Sequence, residues 1–208
     1  GPELALNGAI SNTGNGSLTY DIINGSLDWG GSGSNTYSQP VFLPTGLFRI
    51  LKLNGADAFA GPVTIGDASL EHAAVTSSST GAFKSGTPLT IIGGVDQASI
   101  LNIGNGTESL GRITLDKGQI LGATAGKLVL TDRVVESTSR SGSSSISNVS
   151  IDLGSADRQF DVSFSLFLIG GRVINGGIRK TGVGQMFLNA GSVSNTFAIG
   201  VDDNRWRR

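Results

Sequence analysis

Cysteine is absent from this chain of 208 residues, which excludes a disulfide scaffold and any thiolate metal site. Histidine occurs once, as His72 in "SLEHAAV", and it is read as pointing outward beside Glu71. With one imidazole, no thiol and no lysine beside a serine in a recognisable elbow, nucleophilic catalysis finds little support. Long apolar runs are missing too. The longest is the four residues Leu166–Ile169, far short of a membrane span. Neither sign of charge dominates: 15 basic residues face 16 acidic ones, so no global field draws nucleic acid or an anionic membrane. Helical periodicity is also lacking, because Gly, Ser, Thr and Asn interrupt every candidate stretch.

Aromatic residues make up 6% of the chain, so Val, Ile, Leu and Phe must supply the bulk of the interior. Such a core is narrow and favours an elongated shape. Glycine is abundant, at 32 residues, about double ordinary usage. A hydrophobic fraction of 38% nonetheless excludes a disordered linker or a collagen-like repeat. The chain should fold.

What is present is period-two alternation. "RITLDKGQI" sets Ile113 and Leu115 against Thr114 and Asp116, "KLVLTDRVV" offers Leu128 and Leu130, and "SISNVSIDL" offers Ile146, Val149, Ile151 and Leu153. "FDVSFSLFL" places Phe160, Val162, Phe164, Leu166 and Leu168 on one expected buried face. Between these strands stand "NG", "GNG", "GG" and "DKG", which tolerate positive φ in tight turns. A longer repeat overlies the short one. Leu53-Asn54 and Ile65-Gly66 in "LKLNGADAFAGPVTIG" answer Leu188-Asn189 and Ile199-Gly200 in "MFLNAGSVSNTFAIG". Repetition of strand-plus-turn units predicts a solenoid, in which no unit buries its apolar face alone. Leu53, Ile65 and Leu188 join the expected core.

"GGIRKTGVGQMFLNAG", residues 176–191, is similar to the glycine-rich signature of the autotransporter-associated β-strand repeat. Gly177, Ile178, Lys180, Gly182, Gly184, Met186 or Phe187, and Leu188 fall on that pattern, with Gln185 where Thr is usual. The resemblance extends upstream through "GAFKSGTPLTIIGG" and "SILNIGNGTESLGRITLDKGQILGATAGKLVLT", so that about residues 51–200 can be placed on it. It implies a right-handed parallel β-solenoid (β-helix) and a secreted or bacterial cell-surface setting. Gly177, Gly182 and Gly184 are then turn glycines, where a side chain would strike the next rung. At roughly 20 to 25 residues per rung the chain makes about eight or nine rungs. One solenoid segment, 1–208, is expected, with Gly1-Pro2 read as a tag scar and 201–208 as a terminal tail.

Sites for chemistry are sparse. Polysaccharide-cleaving β-helices need carboxylates converging on a groove, whereas the aspartates here are scattered and only Asp202-Asp203 are adjacent. "GATAGK" has neither the spacing nor the following Ser or Thr of a phosphate loop. No catalytic, cofactor or metal residue is therefore assigned. Trp29 and Tyr37 are the best candidates for an exposed aromatic platform, although a packed or capping role is the preferred reading. Arg205, Trp206, Arg207 and Arg208 form a small basic end, read as a solvated terminus or as an end contact. The resulting expectation is a mechanical one: a stalk, adhesin or self-associating filament that stacks end to end or meets a cell-surface or carbohydrate receptor. A carbohydrate-binding or carbohydrate-cleaving β-helix and a phage tail-fibre segment are the alternatives.

Overall fold

The structure, a computed structural model, describes residues 3–6, 11, 14–20, 26–29, 37–50, 59–77, 80–189 and 196–201, with the backbone alone for the strands at 3–6, 26–29, 46–50 and 196–201. All regular elements there are strands. They follow one another as β1 (Glu3–Leu6), β2 (Leu18–Thr19), β3 (Ser26–Trp29), β4 (Val41–Leu43), β5 (Gly46–Ile50), β6 (Val63–Ile65), β7 (Ala73–Ser77), β8 (Thr87–Ile92), β9 (Ile100–Asn102) and β10 (Thr107–Asp116). The second half adds β11 (Gln119–Leu121), β12 (Lys127–Leu130), β13 (Val134–Ser137), β14 (Ser143–Ser147), β15 (Ser150–Val162), β16 (Leu166–Gly170), β17 (Val173–Thr181), β18 (Gln185–Leu188) and β19 (Thr196–Val201).

Odd and even strands part company. One sheet runs β1-β3-β5-β7-β9-β11-β14-β16-β18, the other runs β2-β4-β6-β8-β10-β12-β15-β17-β19, and β13 pairs with β10 and β15. Every pairing between these strands is parallel, and partners lie between 19 residues (Ile100 with Gln119) and 27 residues (Leu47 with Ala74) apart in sequence. This is a parallel β-solenoid. β10 and β15 each pair with β12 through one half and β13 through the other, so the second sheet bends and these coils have three sides. One sheet is nine strands deep, and the solenoid amounts to about six turns, slightly fewer than the eight or nine rungs expected.

Parallel stacking turns the period-two pattern into columns. Val75, Leu101, Ile120, Ile146 and Ile169 lie in register on one side, all buried, with half-buried Leu188 next. Val41, Val63, Leu89, Ile113, Val135 and Phe160 form a second buried column, and Leu128, Ile151 and Val173 belong to a third. Each such side chain contributes about 1.5–3 kcal/mol by leaving water. The expected core residues Ile65, Ile113, Leu115, Leu128, Leu130, Phe160 and Val162 are all buried; Leu53 lies outside the described residues.

Two expectations need correction on this face. Phe164 and Leu168 are 51% and 36% exposed and Leu166 is half-buried. The bend at Phe164–Ser165 separates β15 from β16 and reverses the alternation, so Phe167 and Ile169 take the inward positions. Gly177 is not a corner either. It sits within β17, paired with Asp157 and Ala198, and the corner falls just before it at Asn175 and Gly176, whose φ values are 59° and 152°. Gly182 and Gly184 do make the turn into β18: a Cβ on either would collide with the backbone of the preceding coil, and Gly182 has φ 78°.

One column carries a polar interruption. Ile65, Ile91, Leu115, Ser137 and Val162 are successive partners, and the buried Ser137 Oγ finds no hydrogen-bond partner among the described residues. Removing an orphaned buried hydroxyl is favourable by about 1 kcal/mol. Ser137→Ala should therefore raise the urea midpoint at unchanged m; a midpoint lower than that of the parent protein would contradict this reading of the column.

Candidate functional site

The corners carry the polar chemistry, because there the chain leaves the ladder and frees backbone groups that need partners. Pairing of β15 with β17 slips between Asp152 and Ala156, across Gly154 and Ser155 with φ 65° and 57°. Arg158 closes that gap. Its Nε donates to Leu153 O at 2.8 Å, and its two terminal nitrogens donate to Asp132 O at 2.7 Å and Leu130 O at 2.6 Å.

Asp152 lies at the same bulge, its side chain 10% exposed and 2.6 Å from Lys127 Nζ. It also accepts from Gly154 N at 2.9 Å and Asn175 Nδ2 at 3.1 Å. Burial opposes the carboxylate charge, but Lys127, Gly154 and Asn175 together hold the Asp152 carboxyl below the usual carboxylate range. Because the folded value lies below the unfolded one, this stabilisation is complete above about pH 4 and fades as pH falls through the depressed value. Asp152→Asn should accordingly flatten the acid limb of a stability-against-pH curve. Parallel acid limbs in the two proteins would remove Asp152 from the account.

Glu108 is fully buried at the head of the column that continues with Leu128 and Ile151. Its Oε1 accepts from Ser77 Oγ at 2.7 Å and Ala82 N at 3.1 Å, and its Oε2 from Phe83 N at 3.2 Å. Lys180 is 2% exposed and follows Phe160 in register; its Nζ donates to Gly182 O at 2.6 Å and Thr181 O at 3.3 Å. Sequence reading assigned neither residue to the interior. Both keep the phase of their apolar neighbours, Glu108 with Leu110 and Lys180 with Ile178, and that phase was the available signal.

The surface offers two further features. Phe164, Leu168, Val183 and Phe187 are exposed near β16 and β18, and the Arg140 guanidinium lies 4.8 Å above the Phe164 ring. On the corner leading into the first sheet, loop length varies from coil to coil. Seven residues join β8 to β9, two join β10 to β11, and five join β13 to β14. The short turn is thus the floor of a notch with longer loops as walls, and the open groove of ≈ 390 Å³ there is lined by Asp96, Gln97, Lys117, Gln119, Ser141 and Ser143 among others.

Of the two candidate aromatics, Tyr37 takes the packed role: it is 8% exposed and its hydroxyl donates to Gly16 O at 2.6 Å, so its ring joins the core while its polar end ties a loop. The side chain of Trp29 lies outside the described residues, as do Arg205, Trp206, Arg207 and Arg208. His72 is half-buried and Glu71 exposed. Among the described residues no group of three or more His, Asp or Glu is placed to hold a metal ion, and no helix is long and apolar enough to cross a membrane. No family model, no curated protein and no solved structure matches this chain.

Proposed function

We propose that this chain is a structural segment of a bacterial secreted or surface β-solenoid, serving as a stalk, adhesin shaft or self-associating filament unit. The observation that supports this most is the ladder itself: nine strands deep in one sheet, parallel throughout, with the same aliphatic columns repeated from coil to coil. Such a rod couples each coil only to its neighbours and resists bending through continuous main-chain hydrogen bonds. The similarity of residues 176–191 to autotransporter-associated repeats points the same way and supplies the extracellular setting.

Parallel coils have two unlike ends, so stacking of one copy on another is head-to-tail and open-ended, which yields filaments and not closed pairs. Negative-stain electron microscopy across a concentration series tests the reading. Narrow filaments of uniform width, lengthening with concentration, are the expected result for a filament unit, and isolated short rods for a stalk. Compact particles without an axis, or an obligate trimer by light scattering, would overturn it, the latter in favour of a tail-fibre segment.

A further inference from the structure

The notch at Lys117 combines three features. The first is backbone strain: Lys117 has φ 53°, in the left-handed region, which costs a residue with a Cβ about 1 kcal/mol or more and which Gly or Asn would occupy more cheaply. The second is positioning. The Lys117 stem packs between coils, so close to Gly93 that a Cβ there would strike its Cβ and Cδ, and in van der Waals range of a Cβ built on Gly142. The third is unused bonding capacity. Asp96, Gln97, Lys117, Gln119, Ser141 and Ser143 line the groove, and none of their side chains makes a hydrogen bond or ion pair among the described residues. Strain held at a residue whose charge serves no contact among the described residues marks a site for something external.

We propose that this notch binds one residue of an acidic saccharide, with the sugar carboxylate on the Lys117 ammonium and the ring hydroxyls on the walls. The donor set selects that class. A single ammonium suits a monoanion, whereas a phosphate dianion needs several cations. Asp96 accepts from hydroxyls, the amides of Gln97 and Gln119 both donate and accept, and the hydroxyls of Ser141 and Ser143 do the same. Neutral groups that donate and accept from both walls match vicinal hydroxyls. The site is lateral, on a corner of the rod, so it is independent of end-to-end stacking and survives if the filament reading fails.

Calorimetric titration of the whole chain with trigalacturonate tests the assignment, with maltotriose, sodium acetate and inorganic phosphate as comparison probes. Saturable binding of trigalacturonate with a Kd on the order of 0.1–1 mM is expected, weakening with added salt. Lys117→Gln keeps the first two methylenes of the stem and the strained backbone, and it should weaken binding at least about tenfold. Lys117→Gly should lose binding to the same degree while raising Tm by about 2–4 °C, because it relieves the strain; that rise separates a lost contact from a lost fold. The proposal is overturned if trigalacturonate does not saturate, if Lys117→Gln binds as the parent does, or if maltotriose, acetate or phosphate binds as tightly as trigalacturonate.

Discussion

Glu108→Ala is expected to destabilise the protein by at least about 3 kcal/mol, measured as a fall in the urea midpoint. The carboxylate accepts Ser77 Oγ, Ala82 N and Phe83 N inside the core, and a hydrogen bond to a charged group contributes about 1.5–3 kcal/mol. Truncation would leave two buried backbone N–H groups without an acceptor and open a void beside Phe83, whose ring packs tilted against Phe59 with centroids 5.5 Å apart. The dependence arises from local geometry. Between β7 and β8 the chain makes only an isolated bridge, Phe59 with Phe83, on the side where later coils place full strands. Glu108, from the next coil, supplies the acceptors that a strand would have supplied. Glu108→Gln can keep a carbonyl oxygen where Oε1 accepts from Ser77 Oγ and Ala82 N, but it turns an NH2 toward Phe83 N, so it should recover only part of the loss. Because a solenoid is stabilised coil by coil, hydrogen exchange should accelerate first around residues 75–113 and least near β16. A uniform acceleration along the chain, or a loss below about 1 kcal/mol, would show that Glu108 does not hold this coil.

How much of this was legible in the sequence depends on which physical rule decides each residue. Where a strand is regular, alternation was sufficient: Ile113 and Leu115, Leu128 and Leu130, and Phe160 and Val162 all point inward as the pattern requires. A solenoid followed from repetition, and its parallel stacking was what the resemblance of residues 176–191 to the autotransporter-associated repeat implied. Phase was lost where the chain bends. Nothing in "FSLFL" announces that the alternation reverses at Phe164–Ser165, since Ser and Phe are compatible with either side of a strand, and the reversal is set by how β16 must register on β14. Gly177 was misplaced for the opposite reason. In a run with glycine at both 176 and 177, sequence alone does not say which one turns, and the register slip between Ile174 and Gly176 decides it.

The candidate site was less legible than the fold. Attention went to scarce residue types, Trp29, Tyr37, His72 and the terminal arginines, because rarity is easily seen. Tyr37 proved to be a packing residue. The groove is built instead from common residues in loops of unequal length, and only the alignment of 93–99, 117–118 and 138–142 on one corner brings Asp96, Lys117 and Ser141 together. "DKG" was recognised as a turn. That its lysine, and not its glycine, takes the positive φ at 53° is not written in those three residues.

Arg158→Lys provides the sharpest separation between charge and shape in this fold, and it should cost nearly as much as Arg158→Ala: about 3 kcal/mol or more for each, and within about 1 kcal/mol of one another. The guanidinium addresses three carbonyls from three places, Leu130, Asp132 and Leu153, all freed where β12 gives way to β13 and where β15 bulges. A planar fork meets three divergent acceptors at once; an ammonium on a shorter stem meets one and leaves the others buried without a donor. Space for the fork is itself conditional. A Cβ on Gly154, whose φ is 65°, would lie 2.9 Å from the Arg158 guanidinium and 3.1 Å from Leu130 O, so Gly154→Ala should be destabilising even though it removes no bond. If the two changes act on one contact, the double variant Gly154→Ala with Arg158→Ala should lose clearly less than the sum of the single losses. Additive losses would place the cost of Gly154→Ala in backbone strain alone, and full retention of stability in Arg158→Lys would show that the corner needs a positive charge and not a guanidinium.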